Sequence, residues 1–145
     1  MIALETLRAQ IGRRLPGGRF SVEPYEDWLM RDTVLAGHGD DPAAHPLWAF
    51  AGPQAAMGIS IDELFTLCGA KASDGPMLGE TDVELLAPLT VEKVYDVRAT
   101  IVDVQRKSGA RTGVFDIVTV EMEAATEGTP VARLRNSYVF PRRQA

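Results

Sequence analysis

From residue 94 to residue 140 the chain alternates apolar and polar residues in three long runs, broken only by short turns. Successive side chains on a strand point to opposite faces, so such runs are strands with one face buried and one in water. The turns fall at Ser108-Gly109 and Glu127-Gly128. Both are far too short for a crossover helix, so the strands they join must be antiparallel. In the last run, residues 131–140, Ala132, Leu134, Asn136, Tyr138 and Phe140 share one face, and Arg133, Arg135 and Ser137 share the other. A further strand is expected over residues 77–86, before Pro88, and a short one over Arg19-Phe20-Ser21-Val22-Glu23. The expectation is a meander of about five antiparallel strands, one face of which needs an apolar cover.

The cover must come from the first half. Leu4, Leu7 and Ile11 recur at helical spacing within residues 3–14, before the breakers Leu15-Pro16-Gly17-Gly18. Residues 28–35 read as a second short helix. Residues 46–57, PLWAFAGPQAAM, are almost wholly apolar. Pro46 suits a helix start, since its missing N–H would have had no partner there. Gly52-Pro53 is expected to kink or interrupt this helix. Ser60-Ile61-Asp62-Glu63 forms a capping box for a helix reaching about Cys68.

Bulk properties narrow the function. A chain of 145 residues is expected to form one domain over 1–145, large enough to bury a core without staples. The net charge of −5 supplies no basic surplus for phosphate neutralisation, which argues against a nucleic-acid partner. A local basic patch near Arg133, Arg135, Arg142 and Arg143 is the one exception to watch. No apolar run reaches membrane-spanning length, and no membrane partner is expected. The single cysteine, Cys68, excludes an internal disulfide and points to a reducing, cytoplasmic setting. Its neighbours, LFTLCGA, make it a small buried hydrophobe rather than a nucleophile. Two histidines and scattered carboxylates show no metal-ligand spacing, so neither metal nor cofactor is expected.

The densest chemistry lies in HGDDPAAHPLW, residues 38–48, which holds both histidines and two adjacent aspartates. With the strand pattern, this stretch resembles the MaoC-like hot-dog dehydratases, in particular the branch known as the N-terminal half of MaoC dehydratase. The resemblance rests on the Pro88-Leu89 corner, the strand opening at Val94 and the basic pair Arg106-Lys107. A strand containing Phe115 and the close Tyr138-Val139-Phe140 add to it, as does the helix start AHPLWAF. It implies an α+β hot-dog fold, a curved antiparallel sheet wrapped around a central apolar helix. It also implies (R)-specific hydration of a 2-enoyl thioester, or the reverse dehydration of a 3-hydroxyacyl thioester, on coenzyme A or an acyl carrier.

Active members of that family carry a Gly-Asp-x-Asn-Pro-aliphatic-His motif. Here Gly39-Asp40-Asp41-Pro42-Ala43-Ala44-His45 keeps the Gly-Asp start and the spacing from Asp40 to His45, but Pro42 replaces the Asn and Ala43 the Pro. In many halves of the family a longer segment, carrying the histidine, separates Gly-Asp from the Pro-aromatic helix start. In that register His45 belongs to the helix start and the motif is shortened. Both registers stand at this stage.

Hydration needs a group that takes a proton from water and donors that stabilise charge on the thioester oxygen. The candidate dyad is Asp40 and His45. Backbone N–H groups around His45 and Leu47 are the candidate oxyanion donors, a kind of contact that contributes about 3–4 kcal/mol in enzymes. Trp48, Phe50 and Met57 are candidates for core or acyl-tunnel lining. The plainer reading of Asp40-Asp41-Pro42 is a polar turn, and of His38 a surface loop residue. Two rivals stand beside a hydratase: a non-catalytic acyl-binding subunit of a heteromeric dehydratase, and a hot-dog thioesterase using Glu63 or Glu80. In each case the expected partner is a second hot-dog chain, in a homodimer or a heterodimer, since one unit leaves a sheet edge open.

Overall fold

The computed structural model describes residues 1–142. The elements in chain order are α1 (Leu4–Arg8), β1 (Gly18–Phe20), α2 (Pro24–Thr33), α3 (Trp48–Ala55), α4 (Ile61–Leu67), β2 (Met77–Leu85), β3 (Tyr95–Gly109), β4 (Gly113–Thr126) and β5 (Thr129–Pro141). One five-stranded antiparallel sheet results, ordered β1-β3-β4-β5-β2. The α+β arrangement of about five strands around an apolar helix is therefore the one the chain forms. The order corrects the simple meander, because β2 crosses over to pair with β5 rather than with β3.

The turns obey local chemistry. Glu127 and Gly128 take positive φ of 50° and 78°, the backbone that a two-residue hairpin needs to match strand twist. The β3–β4 turn lies slightly later than Ser108-Gly109, since Gly109 still pairs with Gly113. Arg106 and Lys107 consequently sit inside β3 and not in a turn.

The inner face of β5 is the one its periodicity marks: Ala132, Leu134, Asn136, Tyr138 and Phe140 are all buried. Asn136 is tolerated there because every hydrogen-bonding group is engaged. Its Nδ2 donates to Gln54 Oε1 (2.8 Å) and to the Tyr138 hydroxyl (3.2 Å), and its Oδ1 accepts from Thr81 Oγ1 (3.0 Å). These bonds tie α3, β5 and β2 together.

The covering helix is shorter than its apolar segment. Pro46 and Leu47 form a tight turn in which Trp48, Ala49 and Phe50 N–H groups bond three residues back, and the α-helix spans only Trp48–Ala55. Pro53 is accommodated inside it, and the helix ends two residues later. Gly52 is where the helix meets the sheet: a Cβ there would run into the Phe20 ring, which in turn stacks on Tyr95 with centroids 5.3 Å apart. α1 is likewise shorter than expected; Leu7 is buried and Ile11 is exposed.

A buried ionic cluster closes one part of the fold. Asp116 accepts from Arg106 Nε (2.6 Å) and Arg142 Nε (2.6 Å), while Arg142 also donates to the carbonyls of Cys68 (2.7 Å) and Gly69 (2.9 Å). Arg106 reaches the Ile2 carbonyl at 3.0 Å. Arg142 is thus committed inside, Arg133 pairs with Glu123 and Glu84, and Arg135 pairs with Glu121. The basic patch that these residues left open is offset by paired carboxylates at Arg133, Arg135 and Arg142, and Arg143 lies outside the described residues.

Candidate functional site

The approach to α3 is organised by a residue that the sequence did not single out, Asp27. α2 starts at Pro24, with a capping box between Glu23 and Glu26, which turns Asp27 inward one turn later. The Asp27 Oδ1 accepts the His45 backbone N–H at 2.6 Å and the Trp48 indole N–H at 3.1 Å. Its Oδ2 accepts from Arg31 Nε at 2.6 Å. Arg31 then donates to the carbonyls of Gly37 (3.1 Å) and Ala43 (2.9 Å). Burial alone would raise the Asp27 carboxyl's pKa. The His45 N–H, the Arg31 guanidinium and the Trp48 indole outweigh it and hold the group below the usual carboxylate range.

The segment before the helix is pinned from the other side as well. Ala44 N–H donates to the Leu89 carbonyl (2.7 Å) and Val91 N–H to the Pro42 carbonyl (2.9 Å), so residues 42–44 lie along the Pro88-Leu89 corner. Ala43 bridges Thr90 there. Ala43 N–H also donates to Asp41 Oδ1 at 2.9 Å, the local side-chain turn that an aspartate two residues earlier permits.

The expected site residues separate into two groups. Asp40 is exposed, and among the described residues its carboxylate makes no hydrogen bond or ion pair. His45 is half-buried, and its Nδ1 accepts the Leu47 N–H at 3.2 Å. A neutral imidazole that accepts at Nδ1 carries its proton on Nε2. No hydrogen bond links Asp40 to His45; the carboxylate that engages the histidine's backbone is Asp27. His38 stacks on Trp28 with centroids 5.0 Å apart, on the surface.

The oxyanion donors expected around His45 and Leu47 are already used. The His45 N–H is bound by Asp27 and the Leu47 N–H by the His45 ring. The Trp48, Ala49 and Phe50 N–H groups go to the carbonyls of His45, Pro46 and Leu47. Together with Ala43 and Ala44, every backbone N–H from residue 43 to residue 50 has an acceptor within the chain, Pro46 having none to offer.

Phe50 and Met57 line one shallow, solvent-open groove of about 400 Å³ with Ala51, Gln54, Ile59, Ser60 and Ile61. Met57 is otherwise buried in the core, so it supplies the groove's floor. Trp48 is tied to Asp27 instead, and Leu47 is exposed at the helix start. Neither carboxylate named for a thioesterase lines this groove, though Glu63 bonds to Ser60, which does. Glu63 is spent on the Ser60 cap, whose N–H and hydroxyl hold its pKa down, and Glu80 lies on β2.

No family model matches the chain, and no curated protein does. Solved structures do. A MaoC-like dehydratase superposes with a TM-score of 0.72 at 16% identity, over 92% of this chain and 43% of that one. The HadBC (3R-hydroxyacyl-ACP dehydratase) complex of Mycobacterium tuberculosis matches with a TM-score of 0.67 at 14% identity, over 90% of this chain and 96% of that one. This chain has the hot-dog fold. The ChsH1-ChsH2 complex of Mycobacterium tuberculosis matches over 98% of this chain and 91% of that one, with a TM-score of 0.67 at 13% identity. A hot-dog of another activity, the BH1999 gentisyl-coenzyme A thioesterase, matches less closely, with a TM-score of 0.53 at 15% identity over 85% of each chain.

Proposed function

We propose that this chain is the acyl-binding subunit of a heteromeric hot-dog enoyl-thioester hydratase or 3-hydroxyacyl-thioester dehydratase, with a partner hot-dog chain supplying the proton-transfer chemistry. The observation that carries this reading is the saturation of the helix start. With every N–H from Ala43 to Phe50 engaged, no backbone donor of this stretch is left for a thioester oxygen, and the Asp27 carboxylate is spent on structure. The groove along α3 keeps its apolar wall of Phe50, Ala51 and Ile59, which suits an acyl chain.

The purified chain is expected to bind a saturated acyl-CoA in titration calorimetry while failing to remove the conjugated absorbance of 2-enoyl-CoAs. Phe50→Trp, which fills the groove, should weaken that binding. No binding at all, or turnover by the chain alone, overturns the assignment. Release of free coenzyme A from a saturated acyl-CoA would make it a thioesterase instead.

One observation favours a second reading, a self-sufficient (R)-specific hydratase. The Nδ1 contact leaves Nε2 of His45 as a proton donor, and the unpaired Asp40 carboxylate stands five positions away on an exposed loop. Hydration by the chain alone, lost in both Asp40→Asn and His45→Ala, would establish that reading in place of the first.

A further inference from the structure

The groove along α3 is walled largely by Phe50, Ala51, Met57, Ile59 and Ile61, and two polar side chains interrupt it, Gln54 and Ser60. Ser60 is spent: its hydroxyl donates to Glu63 Oε2 at 2.8 Å and accepts the Glu63 N–H at 3.1 Å. Gln54 is half spent. Its Oε1 accepts from Asn136 Nδ2 at 2.8 Å, and its Nε2 makes no hydrogen bond among the described residues. That nitrogen is not sealed away, since among the described residues no buried side-chain polar atom lacks a partner. An apolar groove therefore holds one uncommitted side-chain donor, the kind of sparse polar group that orients a ligand in an otherwise greasy site.

The amide is held one way round. Asn136 is fully buried on the inner face of β5, with Leu134 and Tyr138 on either side of it. Its Oδ1 is taken by Thr81 Oγ1 at 3.0 Å, so Nδ2 is the end that meets Gln54, and Nδ2 also donates to the Tyr138 hydroxyl at 3.2 Å. Gln54 then faces Asn136 with its oxygen and keeps its nitrogen free. A buried amide, even a fully satisfied one, adds little net stability over an apolar side chain of the same shape. What Asn136 does add is a fixed direction for the Gln54 donor, and a donor fixed in advance discriminates between ligands.

We propose that Gln54 is a specificity-determining residue whose Nε2 donates to a hydroxyl or ketone oxygen on the acyl chain, remote from the thioester. The groove thus selects an oxygenated acyl chain over a plain hydrocarbon one. This rests on the acyl-binding reading, in which the partner chain works on the thioester and the carbons beside it and this groove keeps the remainder of the chain. A hydrocarbon laid over Gln54 strips water from the donor and returns nothing, whereas an oxygen there replaces the lost bond.

The probes are decanoyl-CoA, 3-hydroxydecanoyl-CoA, and isomers carrying a hydroxyl or a ketone at the middle of the chain or next to its far end. In titration calorimetry one of the remote positions should bind about fivefold or more tighter than decanoyl-CoA, as hydroxyl and as ketone alike. In Gln54→Leu the ratio of oxygenated to plain ligand should collapse to about one, whatever happens to the absolute affinities. Gln54→Glu keeps an oxygen for Asn136 but presents an acceptor to the groove. It should retain the advantage of the hydroxyl, which can donate, and lose that of the ketone, which cannot. Should circular dichroism show Gln54→Leu unfolded, Gln54→Glu carries the test alone. Binding of decanoyl-CoA with no gain from any remote oxygen, a gain confined to the 3-hydroxyl, or a ratio unmoved in the variants overturns this inference and leaves the acyl-binding reading standing. Failure of every probe to bind overturns both.

Discussion

Asp27 Oδ1 accepts the backbone N–H of His45 at 2.6 Å, from eighteen positions earlier in the chain. That bond, with the Trp48 indole on the same oxygen and Arg31 on the other, fixes where α3 begins. Asp27→Ala would leave two donors and a part-buried guanidinium without their acceptor. It should cost about 3 kcal/mol in urea unfolding. Asp27→Asn, which keeps an acceptor oxygen, should cost less.

Acid should unfold the protein through Asp27 and Asp116. Burial pushes the Asp116 carboxyl's pKa up, but Arg106 and Arg142 more than reverse this and hold it below its ordinary value of 3.8. Asp27 is depressed in the same direction. A carboxylate with a lowered folded-state pKa adds stability that is fully present above its unfolded value and disappears as pH falls through the folded one. Thermal melts should therefore hold steady down to about pH 4 and fall steeply below it. In Asp116→Asn the protein should be less stable at neutral pH, with a shallower acid limb.

Gly52 and Phe20 form a contact with no slack. In Gly52→Ala the added methyl must displace the Phe20 ring and with it the stack on Tyr95, a loss of about 1–3 kcal/mol. Pairing it with Phe20→Leu should recover part of that loss. Strict additivity of the two in denaturant melts would count against direct contact.

Cys68 should be inert while the protein is folded. Burial pushes its thiol up to about 12, against a partial pull downward from Arg142. A neutral-pH thiol reagent should fail to label the native chain and label it fully in urea. For the same reason the fold loses stability as pH climbs above 9.0, where the unfolded thiol ionises and the buried one does not.

The parts of this structure that were legible in sequence are the ones whose rules act over a few residues. Strand alternation marked the buried face of β5 down to Asn136, and Ser60 with Glu63 marked the start of α4. The length of α3 was not legible, because an apolar composition does not reveal that its first turn winds tightly. Pairing order was hidden too: nothing local tells β2 to pass β3 and join β5. Asp27 escaped notice for the same reason, since its acceptor role is spent on His45 and Trp48, far along the chain. The one local hint was Arg31 four residues on, a spacing shared by many solvated helix pairs. The Gly-Asp start and its spacing to His45 were visible, but the direction of the His45 ring, bonded to the Leu47 N–H, was not.

The Arg142 guanidinium gives the fold an order in time. It supplies partners for the carbonyls at the end of α4, 74 residues earlier for Cys68, and it completes the charge pairing of Asp116 on β4. In synthesis Cys68 precedes that arginine by 74 residues and Asp116 by 26, and until it joins, Asp116 has Arg106 alone for its charge. Closure of this cluster must then await the end of β5, so α4, made early, is secured late.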